Sequence, residues 1–415
     1  GEYPIGTVEY QDDALPVAVT LEAFSPFIPL NAPDSALPAT VMEFTVKNTS
    51  SAAVDVTLAG WLENGVCRIS GDGLYGARVN RVVKRDGMTM VLGSARPVDP
   101  PQAAREPVVL ADFEGDDYGD WTVEGTAFGK GPARGTLARQ QEVSGFQGKG
   151  LVNTFIDRDT PQGKLTSPAF KIDRAFINFL IGGGRYKDKT CINLLVDGRV
   201  VRTAVGKNNE KLEWKHWNVR EFRGKEARIE IVDRESGAWG HVNIDQIELD
   251  DRPKAAVSGK LEDQSDFGTM GLALLGKPED TLASASLPQG KPCEVLFTDD
   301  GLGQPDQPEK LFGETLCGAL AKEMHLEPYE EARVTFLVAW CFPNRATRDQ
   351  KVGNFYATRF EDAAAVAAYV ARDFDRLAGE TGLWHETWYD STLPHWLLDR
   401  LFSTTSTLAT STSQW

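Results

Sequence analysis

Histidine and cysteine are scarce, five of each in 415 residues. The cysteines are Cys67, Cys191, Cys293, Cys317 and Cys341. They stand far apart with no CxxC pair, which argues against a zinc ribbon or a thioredoxin-like site and predicts isolated buried thiols. His216, His241, His325, His385 and His395 show no metal-ligand spacing. Basic residues are also short, 44 Lys and Arg against 60 Asp and Glu, for a net charge of −16. Contacts to phosphate need a basic patch, so this balance argues against nucleic acid and anionic membranes as partners. No apolar run approaches the ~20 residues of a bilayer-spanning helix. A GxSxG nucleophile elbow is missing. Gly182–Gly184 lacks the Lys and Ser/Thr of a P-loop, and "HETWY" has Tyr389 where a zinc helix needs its second His. The residues alone place no catalytic group.

What is present is unevenly arranged. The stretch from Arg105 to Asp250 carries 23 acidic and 22 basic residues, so nearly all the net charge lies outside it. Proline-rich loop sequence fences it on one side ("ARPVDPPQAAREP") and "DDRPKAAVSG" on the other. This reads as a domain, 105–252, inserted into a larger one made of 1–104 and 253–360.

Both parts read as β. Met42, Phe44 and Val46 alternate with polar residues in "TVMEFTVKN", and Val54, Val56 and Leu58 do so in "AVDVTLAGW". The two predict a hairpin across "NTSSA". Val334, Phe336, Val338 and Trp340 repeat the pattern after the insertion, so the two halves are expected to share one core as an antiparallel sandwich. The insertion has its own strand runs, "AFINFLIGGG", "TCINLLVDGRVVRTAVG" and "EARIEIVD", with a hairpin turn at Asp197-Gly198. Its length suits a second, jelly-roll sandwich. Only then does helical spacing begin. Val366, Val370, Phe374 and Leu377 form one stripe, with Gly379 or Gly382 expected to end the helix before a tryptophan-rich connector, the whole spanning 361–392. A last helix is expected at 393–415, with Leu397, Leu401, Leu408 and Trp415 on one face. Nine of the eleven residues from Ser403 to Ser413 are Ser or Thr, poor formers of an exposed helix, so this one needs close neighbours. The expectation is a chain that ends near the start of a further domain.

"LEAFSPFIPLNAPDSALP" (Leu21–Pro38), "FLVAWCFPN" (Phe336–Asn344) and "LPHWLLDRLFSTTSTLATSTSQW" together resemble glycoside hydrolase family 116, the family of the bile-acid β-glucosidase or non-lysosomal glucosylceramidase. The resemblance covers about 1–100 and 255–415. It implies the family's amino-terminal β domain followed by the first helix of an (α/α)6 barrel. It also implies retaining hydrolysis of β-glucosides by two carboxylates ~5–5.5 Å apart. Those belong to the barrel, beyond Trp415, and no position here matches them. No cofactor for catalysis is implied, and the missing catalytic domain becomes the chain's own partner. Pro26 and Pro29 break ladder donation, so "FSPFIPLN" is read as a loop that either buttresses the barrel or shapes the cleft edge.

The insertion, through "ADFEGDDYGDWTVEGTAFGKGPARG" and "WGHVNIDQIEL", resembles the galactose-binding-like modules of secreted polysaccharide hydrolases. That implies a structural calcium at Glu114 and Asp245, with Asp112 nearby. Aromatic faces stack on sugars while Arg and His fix hydroxyls, which selects Arg185, Tyr186, His216 and Trp239 as glycan contacts, beside Trp214, Trp217 and His241. The module leans towards export, although family 116 also has intracellular members. The expected function is the amino-terminal portion of a β-glucosidase or glucosylceramidase-like hydrolase. The alternative is a non-catalytic carbohydrate-binding protein.

Overall fold

The computed structural model describes residues 2–100, 105–255, 259–287, 307–347 and 350–405. The protein is mainly β, and its sheets are antiparallel. An eight-stranded sheet runs in the spatial order Gly6–Tyr10, Val17–Phe24, Ala39–Asn48, Glu331–Cys341, Thr269–Leu275, Met88–Pro97, Gly76–Arg85, Glu309–Leu311. Strands from before and after the insertion are interleaved in it. Ala39–Asn48 pairs with Glu331–Cys341, and Met88–Pro97 with Thr269–Leu275. The two halves thus close one sheet.

A three-stranded sheet, Leu282–Ser284, Cys317–Leu326 and Val54–Glu63, packs on part of one face. The expected hairpin across "NTSSA" does not form. Ala39–Asn48 and Val54–Glu63 belong to different sheets, and the connection is a sheet-to-sheet crossover. Buried Asn48 fixes it, because its carboxamide donates to the carbonyls of Ala52 (2.7 Å), Leu326 (3.2 Å) and Glu327 (3.0 Å). That side chain satisfies backbone groups that a two-strand turn would have satisfied itself.

The large sheet is covered on both faces. Val334, Phe336 and Leu272 face the small sheet and pack on its Leu320. Leu337, Ala339, Met88 and Met90 face the other way, against helices. This explains why the alternation in "ARVTFLVAWC" is imperfect: both sets are apolar because both faces are dry.

There are four α-helices among the described residues: α1 (Ala32–Ser35), α2 (Ala363–Arg372), α3 (Phe374–Tyr389) and α4 (His395–Phe402). Asp362 caps α2 by accepting from the Ala365 amide at 2.7 Å. Val366, Val370 and Leu377 bury fully on the sheet. The single helix read from 361 to 382 is instead two, broken at Asp373, and the second runs on through the tryptophan-rich stretch. Gly379 and Gly382 lie inside α3 and end nothing. Tertiary packing overrides their propensity: Trp384 lies 5.8 Å from Phe27 and 5.2 Å from Trp388, and Trp388 lies 4.1 Å from Phe402 on α4. Leu408, Trp415 and the Ser/Thr run past Thr405 lie outside the described residues. No helix among the described residues is long and apolar enough to cross a membrane.

The segment from Val108 to Asp250 builds two further sheets. One orders Arg199–Val205, Thr190–Val196, Glu226–Asp233, Gly163–Thr166 and Thr122–Gly125, with Phe170–Lys171 also on Glu226–Asp233. The other orders Asn209–Asn218, Phe176–Gly183, Val242–Asp250 and Val108–Ala111, with Val152–Asn153 also on Val242–Asp250. They enclose a core of their own that includes Ile177, Phe179, Ile192, Ile229, Ile231 and Ile244. Asp197 (φ 51°) and Gly198 (φ 73°) both take the left-handed conformation that a tight hairpin requires. Cys67, Cys191, Cys317 and Cys341 are buried free thiols, and burial pushes the first three up to about 11. Cys293 lies outside the described residues.

Candidate functional site

Three of the residues read as glycan contacts converge at one end of the inserted sandwich. The strand Phe176–Gly183 leaves its sheet through Gly183 at φ 84°. Gly184 then presses on the next loop, where an added Cβ would sit 2.1 Å from the Trp239 carbonyl. This contact brings Arg185 and Tyr186 beside Trp239. The Tyr186 hydroxyl donates to the Ala238 carbonyl at 3.0 Å, and Lys189 pairs with Glu235 at 2.7 Å. Tyr186 and Arg185 remain exposed, and Trp239 is half-buried. Trp239 also has φ 63°, a conformation that bulky residues rarely adopt and that persists only where the surroundings enforce it.

Beneath Trp239 lies a buried polar network. The Trp239 ring stacks on His241, with centroids 5.7 Å apart and planes at 26°. His241 is 2% exposed. Its Nδ1 lies 2.6 Å from Asp159 Oδ1, and its Nε2 lies 3.1 Å from Glu210 Oε1. Glu210 also accepts from Asn243 (2.7 Å) and Gln140 (3.1 Å), and Gln140 is tied to Asn153. Burial alone would push His241 down, but the hydrogen bonds and charges of Glu210 and Asp159 outweigh it and hold the imidazole above its ordinary value. Asp233, fully buried nearby, is pushed up to about 7 by loss of water, against a hydrogen bond from Thr154 and the charge of His241.

Asp159, Glu210 and Asp233 were not singled out from the sequence, yet two of them left a signal there. Glu210 shares the inward face of Asn209–Asn218 with Leu212, and Asp233 continues the inward row of Ala227, Ile229 and Ile231. A carboxylate on an apolar face must find a partner or a proton.

His216 does not join this group. The structure corrects its assignment as a glycan contact: its side chain is 7% exposed and its Nε2 lies 2.6 Å from the Asp72 carbonyl. It sits between the inserted sandwich and the outer domain, with Phe176 edge-on at 5.6 Å. Asn218 and Arg220 strengthen that seam by donating to the Phe312 carbonyl at 2.9 and 3.1 Å. A polar cleft of about 570 Å³ opens alongside, lined by Asp72, Arg78, Arg202, Glu221 and Glu314. Trp217 is core, packed on Phe179 at 4.5 Å, and Trp214 lies under Lys254 at 4.3 Å.

Glu114 and Asp245 are brought together by the segment 147–150. Glu114 Oε1 accepts from the Lys149 and Gly150 amides (2.7 and 2.8 Å), and Asp245 Oδ2 accepts from the Gln147 amide at 2.7 Å. Asp245 Oδ1 is buried with no partner, and its carboxyl is pushed up to about 6, first by burial and further by the charges of Glu114 and Asp112. An orphaned buried carboxylate oxygen beside other carboxylates suits a hard cation. Among the described residues, however, no cluster of three or more His, Cys, Asp or Glu side chains is arranged to hold a metal. Backbone carbonyls would have to complete the shell.

The amino-terminal domain model of glycosyl-hydrolase family 116, described as "beta-glucosidase 2", matches residues 1–169 and 260–377. The chain belongs to glycoside hydrolase family 116. A protein of Aspergillus rugulosus named "Putative glycosyl hydrolase ecdE" is 43% identical over 143 residues, which cover 34% of this chain and 20% of that protein. Among solved structures, the K3 adhesin domain of Lys-gingipain from Porphyromonas gingivalis aligns at 11% identity and TM-score 0.26, covering 36% of this chain and 99% of that one. A family 35 carbohydrate-binding module from Clostridium thermocellum aligns at 11% and 0.21, covering 35% and 98%. Scores this low carry no weight for fold or function.

Proposed function

We propose that the whole protein is a retaining β-glucosidase or glucosylceramidase-like hydrolase. In this reading residues 1–415 supply its amino-terminal β scaffold and an inserted sugar-binding module, and the catalytic carboxylates belong to the barrel domain. The observation that carries the reading is the family match, which covers the outer sandwich, runs on into the inserted segment as far as residue 169, and reaches into α3. The test is the full-length enzyme acting on an aryl β-glucoside. Retention predicts β-glucose as the first product by NMR, and α-glucose as first product overturns it.

Within the module we assign glycan contact to Arg185, Tyr186 and Trp239. An exposed arginine, an exposed tyrosine and a strained, half-buried tryptophan meeting on one edge support this. Trp239→Ala should abolish retention on immobilised β-glucan while lowering stability by no more than about 1 kcal/mol. Unchanged retention rejects the assignment. We further propose that Glu114 and Asp245 would hold a structural calcium, whose role is to neutralise Asp245 Oδ1 and pin the 147–150 segment. A melting temperature unmoved by chelator, in wild type and in Asp245→Asn alike, counts against it.

A further inference from the structure

We propose that His241 is held as an imidazolium beneath Trp239 and that this charge sets the ring for sugar contact, so that binding is present in neutral and mildly acid solution and lost in alkali. The inference rests on the sugar-binding reading of the Trp239 edge.

The argument begins with hydrogen-bond arithmetic. Both ring nitrogens of His241 face carboxylates, Asp159 Oδ1 at 2.6 Å from Nδ1 and both Glu210 oxygens at 3.1 and 3.2 Å from Nε2. An ionised carboxylate only accepts, and a neutral imidazole has one N–H to give. Satisfying both sides takes two N–H groups. Glu210 Oε2 is at the same time the acceptor for the Asn243 and Gln140 side-chain amides, which have only N–H to offer it.

The other neighbours agree. Asp159, from the loop after Val152–Asn153, and Glu210, from Asn209–Asn218, act on His241 through hydrogen bonds and charge, while Asp233, at the end of Glu226–Asp233, feels the charge of His241 and is itself pushed towards its neutral form by burial. Phe155 meets the ring edge-on at 5.0 Å and Trp239 stacks on it, so the remaining neighbours are apolar faces. A charged imidazole under an indole face is attracted to it.

Removing the proton leaves one carboxylate facing a nitrogen lone pair. One of the two bonds breaks and the charge under the indole disappears. Trp239 then has less to hold it at φ 63°, where relaxation is downhill. His241 is thus a positioning residue for Trp239.

The full chain can be tested by NMR of the imidazole nitrogens together with retention on immobilised β-glucan. At about pH 6 both His241 nitrogens should carry protons, and retention should fall about tenfold towards pH 9, with the midpoint of the His241 titration. His241→Gln should bind weakly with no pH dependence. Asp159→Asn, a gentler change, should move both midpoints down together. A neutral His241 at about pH 6, or retention indifferent to His241→Gln, overturns the proposal. Wild type that never binds β-glucan overturns the sugar reading and the pH control with it. A doubly protonated His241 in that case locates the fault in the sugar reading alone.

Discussion

Tyr369 donates its hydroxyl to Asp34 Oδ1 at 2.7 Å, joining α1 to α2 across 335 positions of sequence. Asp34 also receives Arg376 from α3 (2.9 Å) and the Asn31 side chain (2.8 Å), and is 4% exposed. Burial pushes its carboxyl up, but the bonds from Tyr369, Arg376 and Asn31 and the Arg376 charge outweigh burial and hold it below its ordinary value. The "LNAPDSALP" segment is therefore clamped to α2 and α3.

Asp34→Ala strands a tyrosine hydroxyl and an arginine, and should cost ~2–4 kcal/mol in urea unfolding. The sign with pH follows from the lowered value: Asp34 contributes above the ordinary carboxylate range, and the contribution is lost as pH falls through its folded value. Wild type should therefore lose the advantage over Asp34→Ala in acid. A gap that stays constant with pH would refute the clamp.

Leu377 carries the helix-to-sheet contact from α3. It is 1% exposed within the cluster that joins Met88, Leu337 and Val366. Leu377→Ala should cost ~2–5 kcal/mol by the same denaturation measurement, whereas Leu383→Ala, at a position 64% exposed, should cost under ~0.5 kcal/mol.

The sequence made the β patterning legible because alternation reflects which face is dry. It could not show which strands pair. Val54–Glu63 alternates as well as Ala39–Asn48 does, yet the two pair with different distant strands, and Asn48's long-range bonds fix the crossover between them. Glycine propensity alone points to a helix end at Gly379 or Gly382, whereas the packing of Trp384 on Phe27 and of Trp388 on Phe402 keeps α3 intact. At the sugar edge, the exposed aromatics were legible as types. The carboxylates behind them were not, since Asp159, Glu210 and His241 meet only when three separate segments converge. His216 shows the converse: a histidine beside tryptophans reads as a ligand contact until a second domain is found to cover it.

The seam that covers His216 makes its own prediction. Gly313 (φ 91°) lies so close to Asn218 that an added Cβ would sit 2.0 Å from its Oδ1. Gly313→Ala should force the seam open, and Asn218→Ala should remove its bond to Phe312. Calorimetry should then resolve two unfolding transitions, module and outer domain, where the wild type gives one more strongly coupled transition. A single unchanged transition in both variants would mean that the seam carries no coupling.

Asp233 makes the remaining case, and its sign is opposite to that of Asp34. The folded carboxyl titrates at about 7, raised first by burial, while the unfolded one titrates near the ordinary 3.8. The folded state prefers the protonated form. Stability from this group is complete below the unfolded value and is lost as pH rises through about 7. Asn keeps the shape and the acceptor that meets the Glu235 amide (3.4 Å), and it carries no charge to bury. Asp233→Asn should thus match wild type in acid and exceed it in mild alkali by ~1–4 kcal/mol, offset in part by the lost attraction to His241. Melting curves across the neutral range decide it. If wild type and variant diverge in acid and converge in alkali, Asp233 is held as an anion and the network around His241 has been read with the wrong charge.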